Sequence, residues 1–327
     1  MQLSELISLF QDGKMDKRVY LDLARERTLS INELVQALHK SSAERIEITG
    51  DEAELVFPSE NGTPLHLLFD FSQTICRAES ILLDTEREDF SFFNNFLRSG
   101  GVCLDIGANI GRVSLELATM QPNIDIYSFE PVPETYRMML RNLEINPELS
   151  PRIHPNHLGF MDQEGEITFY VPAASEAASA APIEDQYYLR EANQGQAERG
   201  HHLQKETCPV TTLDAFAEKN DFSRIDFIKV DTEGAELKVF QGGEQTIRKF
   251  HPVIYTEMLR KHAKRFGYHP NDIIHMLSDW GYLCFREEGK HLIPFSEMTE
   301  ETIETNFYFL HKDAHKETIS SLVGNKD

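Results

Sequence analysis

The stretch from Gly101 to Gly111, GVCLDIGANIG, constrains this chain more than any other. Val102, Cys103 and Leu104 read as a short buried strand, and Asp105 with Gly107, Ala108, Asn109 and Gly111 as the tight loop after it. Val113, Leu115, Leu117 and Ala118 then begin a helix. Strand, glycine loop and helix N-terminus in that order predict an α/β fold, a Rossmann-like doubly wound sheet whose first loop holds a polar ligand. Glycines admit close backbone approach, the helix offers unpaired N–H groups, and Asp105 supplies an acceptor at a fixed place.

The loop also selects among ligands. A dinucleotide fingerprint needs G-x-G-x-x-G, whose second glycine lets a pyrophosphate lie against the backbone. Here Gly107 and Gly111 are three residues apart and an aspartate stands two positions before the first, which disfavours a nicotinamide oxidoreductase. About 20 residues on, Ile124, Ile126, Tyr127 and Phe129 form an apolar run that ends in Glu130 and Pro131, where such sheets place the acid for ribose hydroxyls. A ligand with an amino-acid end, an adenosine end and no phosphate suits both features: S-adenosylmethionine. Phe160 and Met161 could sandwich its adenine while Asp162 accepts from the exocyclic amine; a polar turn explains the same residues equally well.

A second constellation is IDFIKVDTEGAELKVFQGG. Ile225, Phe227, Ile228 and Val230 predict a buried strand that delivers Asp231 and Glu233 at its carboxyl end, where open parallel sheets bind ligands. The next strand, PVIYTEM, ends in Glu257, and His262 follows shortly. Three carboxylates at one rim repel one another unless a cation, a proton or a sulfonium is shared among them. Methyl transfer to an alcohol needs the hydroxyl proton removed, so Glu233 or His262 could be the base, and Asp231 with Glu257 could hold a divalent ion. A helix cap for Asp231 and an exposed basic face for His262 are the plain alternatives.

Along the rest of the chain, Leu3, Leu6, Ile7 and Phe10, then Ile31, Leu34, Val35 and Leu38, predict two short helices, the second with Ser30 and Glu33 as a capping box. RIEITG, EAELVFP and LHLLFDF predict a small antiparallel meander. Residues 1–75 are expected to be a cap or a dimerisation element, the second of which would make a homodimer, with the catalytic domain over 76–327. Phe90, Phe93, Phe96 and Leu97 predict a helix over 85–99 that packs on the sheet, and Tyr136, Met139, Leu140 and Leu143 give the inner face of another over 134–143. Residues 172–206, polar and longer than an ordinary connection, read as a disordered loop or a lid, with Tyr187, Tyr188, His201 and His202 as candidate substrate contacts. GYLCF and NFYFL, preceded by a helix over 270–280, close the fold.

Bulk properties exclude whole classes of partner. The net charge of -22 argues against nucleic acid and anionic membrane. No apolar run nears the roughly 20 residues of a membrane span, and MQLSELISLFQDGK lacks a signal peptide's basic start, so a cytoplasmic location is expected. Cys76, Cys103, Cys208 and Cys284 are too scattered for a metal motif and read as reduced thiols.

With these motifs in order, VCLDIGANIGRVSLELA, SFEPVPETYRMMLRNLEIN, TLDAFA, IDFIKVDTEGAELKVFQGG and HPVIYTEM, the sequence resembles the FkbM-type family of SAM-dependent methyltransferases over about residues 80–310. The resemblance implies a class I sheet of seven strands with an antiparallel final hairpin, and O-methylation of a small-molecule or glycan hydroxyl. Related sugar and macrolide O-methyltransferases carry carboxylates at the fourth and fifth strand ends that bind magnesium and act as base. By that similarity Asp231, Glu233 and Glu257 inherit those roles, although D-T-E-G here differs from the relatives' D-x-D. An N- or carboxyl-methyltransferase, and a non-catalytic SAM-binding module, share the cofactor loop and are the competing readings.

Overall fold

The computed structural model describes residues 3–21, 23, 35, 36, 38, 39, 41–49, 52–59, 61–69, 90–171, 179, 180 and 204–324. Of the helix expected around Ser30 only residues 35, 36, 38 and 39 are described, the first three helical; the rest of it, Cys76, and all but residues 179, 180 and 204–206 of the 172–206 segment lie outside the described residues. The chain opens on α1 (Leu3–Gln11) and an antiparallel meander of β1 (Arg45–Thr49), β2 (Glu52–Phe57) and β3 (Leu65–Phe69). A 3₁₀ helix (Phe90–Asn95) leads to β4 (Val102–Ile106), α2 (Arg112–Met120), β5 (Asp125–Phe129), α3 (Pro133–Glu144) and β6 (Ile153–Asn156). A side sheet follows, of β7 (Gly159–Phe160), β8 (Gly165–Val171) and β9 (Gln204–Thr211). The chain then returns through α4 (Leu213–Lys219) to β10 (Phe227–Val230), α5 (Glu236–Gln241), α6 (Glu244–Phe250), β11 (Val253–Glu257), α7 (Arg260–Arg265) and α8 (Pro270–Asp279). It closes with β12 (Tyr282–Glu288), β13 (His291–Pro294), β14 (Asn306–His311) and α9 (Lys316–Leu322).

The main sheet runs β13-β12-β14-β11-β10-β4-β5-β6. β6, β5, β4, β10 and β11 are parallel, and β14 is antiparallel to both of its neighbours. The chain winds outward from β4 in one direction and resumes at β10 in the other, so the switch point of this doubly wound sheet falls between β4 and β10. That puts Asp105 and Asp231 on the two sides of one crevice. Eight strands stand where seven are expected, because β13 adds an edge through a two-residue turn. Gly289 has a φ of +63° at its first central position, which a type II′ hairpin reserves for glycine.

Strand alternation sorts the side chains onto two faces. Leu104, Ile106, Ile228, Val230 and Ile254 pack with α4, α5, α6 and α8. Cys103, Phe227, Val253, Tyr255, Tyr308 and Leu310 pack with α2, α3, the 3₁₀ helix and the meander, whose Leu55, Phe57, Leu65 and Leu67 are fully enclosed in the same core. Phe90, Phe93 and Phe96 fall on one side of a three-residue turn; Phe93 meets Phe227, Tyr255 and Tyr308 edge-on or tilted, and Phe96 stacks on Phe227; the described part of the helix expected over 85–99 is 3₁₀ over Phe90–Asn95.

The expected inner face of α3 is wrong at Leu140, which is exposed. The buried positions are taken by Asn142 and, just past the helix, Asn146. Their amide oxygens accept from Leu68 N and His66 N, each at 2.9 Å, and Asn146 Nδ2 donates to His66 O at 2.7 Å. The helix thus supplies the hydrogen bonds that a fourth strand would give to the free edge of β3.

Candidate active site

Gly107, with a φ of +78°, brings the loop after β4 directly against the loop after β10. A Cβ on it would stand 1.7 Å from the Asp231 carbonyl oxygen, so no side chain is admissible. Gly107 N and Ala108 N both donate to Phe129 O, Asn109 is left-handed at +52°, and Gly111 at +85° faces Met139. Asn109 N donates to Glu130 Oε2 at 3.0 Å and Val132 N to Glu130 Oε1 at 2.9 Å, which spans the two strand ends with one carboxylate. Burial pushes Glu130 up to about 7 despite those two donors. Pro131 sits beneath Gly159, which ties this corner to the side sheet.

Asp105 lies within β4, fully buried. Its Oδ2 accepts from Ser114 Oγ at 2.6 Å, and Ser114 Oγ in turn meets Ser128 Oγ at 2.6 Å. The buried Lys229 completes this corner: Nζ donates to Gly107 O at 2.8 Å and lies 3.3 Å from Asp231 Oδ2 and 3.5 Å from Asp105 Oδ1. Reading the sequence for acids passed over this cation. The signal was a single lysine in an apolar strand, two residues before Asp231 and in register with Asp105. Two buried acceptors here are short of hydrogen bonds: Asn109 Oδ1 has none among the described residues, and Asp105 Oδ1 has only the Lys229 ammonium at 3.5 Å. A ligand bearing an ammonium and hydroxyls fits orphaned acceptors; a phosphate does not.

The residues expected at the adenine are dispersed. Phe160 is enclosed in the core, 4.7 Å from Phe129 and 5.7 Å from Phe216 in T-shaped contacts, so its ring faces inward. Met161 is buried with the side sheet, and its carbonyl occupies the place where a Gly242 side chain would be, 2.2 Å from that Cβ. Asp162 pairs with Lys238 at 2.9 Å.

Across the crevice, Asp231, Glu233, Glu257 and His262 gather at the carboxyl ends of β10 and β11. Glu233 is held left-handed at +55°, and Gly234 at +111° packs so closely on the His262 carbonyl that a Cβ would be 2.7 Å away. The turn is fastened from below by Glu236, a second residue that sequence reading missed. Its Oε1 accepts from Thr232 N, Thr232 Oγ1 and Gly234 N, and its Oε2 accepts from the Tyr268 hydroxyl. Ser179, from the 172–206 segment, donates to Glu233 O at 3.0 Å; Tyr187, Tyr188, His201 and His202 lie outside the described residues.

His262 is buried, not on an exposed basic face, and its Nδ1 lies 3.0 Å from Glu233 Oε2 and 3.9 Å from Glu257 Oε2. Glu233 Oε2 and His262 Nδ1 are nonetheless both buried without a hydrogen-bond partner among the described residues. Ligand-type atoms of Glu233, Glu257 and His262 all fall within 4.8 Å of one another. Of the pair expected to hold an ion, Asp231 turns to Lys229, whereas Glu257 lies with Glu233 and His262. Burial, then the neighbouring carboxylates, hold Glu233 and Glu257 well above the usual carboxylate range. Burial and the nearby Arg265 and Lys261 push His262 down to about 4.

Residues 105–284 match the family described as Methyltransferase FkbM domain, more than half of this 327-residue chain. Methyltransferase 1 of Beauveria bassiana is 30% identical over 148 residues, covering 42% of this chain and 57% of that protein. Methyltransferase sdnD of Sordaria araneosa is 32% identical over 163 residues, covering 46% and 62%. The chain thus spans less than two thirds of each of these relatives. Among solved structures, methyltransferase FkbM from Methylobacillus flagellatus KT aligns with a TM-score of 0.40 at 15% identity, over 65% of this chain and 45% of that one.

Proposed function

The chain belongs to the FkbM methyltransferase domain family, and from that premise we propose that it moves the methyl group of S-adenosylmethionine to a hydroxyl of a sugar or secondary metabolite. The observation that carries an oxygen acceptor is the buried Glu233–His262 contact, 3.0 Å and without a hydrogen bond, beside a loop whose orphaned atoms are acceptors. Asp105 and Asn109 receive the donors of the amino-acid end, and Glu130 receives the ribose. The bound sulfonium supplies an electrophilic methyl carbon. His262 receives the hydroxyl proton as the carbon–oxygen bond forms and the carbon–sulfur bond of the sulfonium breaks, a contribution of roughly 10² to 10⁴ in rate. His262, uncharged near neutral pH, is the group able to accept it, and Glu233, 3.0 Å away, positions its ring.

In a second arrangement, in which His262 is a ligand and not the base, the same cluster would hold a divalent ion through Glu233, Glu257 and His262. Two carboxylates and an imidazole suit manganese, iron or zinc better than magnesium, which prefers an all-oxygen shell. Such an ion would lower the acceptor hydroxyl's pKa.

The test is methyl transfer from labelled S-adenosylmethionine to a panel of sugar and natural-product alcohols, amines and acids, with and without chelator. Products methylated on oxygen of an alcohol are expected. Transfer only to amines or carboxylates, or cofactor binding with no transfer to any acceptor, would replace this reading with one of its competitors.

A further inference from the structure

One row of register partners crosses the main sheet on the Asp105 face: Ser128, Asp105, Lys229, Tyr255, Tyr308. In-register neighbours point the same way. The row is therefore polar on the cofactor-loop side and aromatic on the other, with Glu257 one pleat beyond Tyr255. Over the aromatic half lies a cavity of about 290 Å³, near the lower bound of roughly 300 Å³ for small-molecule sites. Phe90, Phe93, Tyr255 and Tyr308 wall it, and Asn306 lines its mouth. Asn306 is the direct cross-strand partner of Glu257, so cavity and acidic ledge are contiguous.

The outer wall comes from the hairpin that the eighth strand adds, and its charges are informative. Arg286 is the one cation among the lining residues, and it is already engaged twice, 2.8 Å from Glu288 and 3.3 Å from Glu304. Glu287 accepts the Tyr308 hydroxyl at 2.9 Å. An acidic acceptor entering here would meet Glu287 and Glu304, with the one guanidinium already engaged by Glu288 and Glu304. A neutral ring would place its C–H faces on aromatic walls and its hydroxyls among carboxylate and amide acceptors.

We propose that this cavity is the acceptor subsite and that it takes an uncharged, polyhydroxylated ring in preference to a carboxylated one. The proposal rests on the methyltransferase reading above. The test is saturation-transfer NMR on the full chain with methyl α-glucopyranoside and methyl α-glucuronopyranoside as probes, each with and without S-adenosylhomocysteine. The glucoside gives a signal at least fivefold stronger than the uronoside. Thr305→Trp, which fills the cavity, abolishes it while S-adenosylhomocysteine affinity stays within twofold. Glu304→Gln, at a half-exposed site that tolerates the change, narrows the preference about threefold by removing one like charge. Equal or stronger uronoside binding, no binding of either sugar, or a glucoside signal unchanged in a folded Thr305→Trp protein would overturn the proposal. Glucoside binding without any affinity for S-adenosylhomocysteine would instead sink the parent reading and leave the cavity standing.

Discussion

The two loops that face each other across the switch point are built on opposite principles. After β4, charge is matched: Asp105 has Ser114 and Lys229, Glu130 has two backbone N–H donors, and Lys229 reaches two aspartates and the Gly107 carbonyl. After β10, charge is left unresolved: Glu233 and His262 touch without bonding, and Glu257 adds a third group to a buried cluster. The first loop can hold a ligand without rearranging. The second stores unfavourable contacts that a positive charge or a departing proton relieves, and residues in such strained, desolvated positions cluster where reactions occur.

Gly107 is where the two loops meet, so the largest effect is expected there. Gly107→Val pushes a side chain into the Asp231 carbonyl and forces a left-handed residue to be β-branched. Cofactor binding measured by calorimetry should vanish and the melting temperature fall. A variant that still binds the cofactor would show that the loops need no close approach. Next comes Glu233→Gln, predicted to slow methyl transfer by about 10² to 10⁴ while cofactor affinity stays within about twofold. Because it replaces a buried group whose ionisation is opposed by burial and by neighbouring carboxylates, it should also raise the melting temperature. Lys229→Met has the opposite sign. It strands Asp105 without its cation and should cost about 3 to 5 kcal/mol in urea unfolding. If both substitutions shift stability in the same direction, the contrast between a satisfied loop and a frustrated ledge is lost.

Much of this was legible in the chain. DIGANIG named the first loop because only glycine satisfies its backbone, and the acids at Asp231, Glu233 and Glu257 stood out because packing does not explain carboxylates at a strand end. Pairings across long sequence separation were not legible. That Lys229 lies beside Asp105 depends on β10 landing next to β4, and that Asn142 and Asn146 stand in for a strand depends on the meander docking against α3. A helical wheel calls Leu140 internal because it cannot know that a sheet edge asks for amides. The packing of Phe160 was hidden for a similar reason: that Phe129 and Phe216 enclose its ring depends on contacts across long sequence separation.

The smallest effect separates Glu130 from the ledge by pH. Its carboxyl is raised from 4.5 to about 7, chiefly by burial, so the folded state holds this proton more tightly than the unfolded chain. The corresponding stability is complete below about pH 4.5 and is lost as pH rises through about 7, a slope worth up to about 3 kcal/mol. Glu130→Gln keeps one backbone acceptor and loses the other, which shifts stability by a constant amount, but it has nothing to ionise. Urea midpoints at pH 5 and pH 8 should therefore differ less in the variant than in the wild type. Saturating S-adenosylmethionine should shrink the wild-type difference in the same way, because hydroxyls that donate to the carboxylate favour its charged form. Cofactor that leaves the slope untouched would mean that the ribose is held elsewhere, and Glu130 would then be no more than the clamp joining Asn109 to Val132.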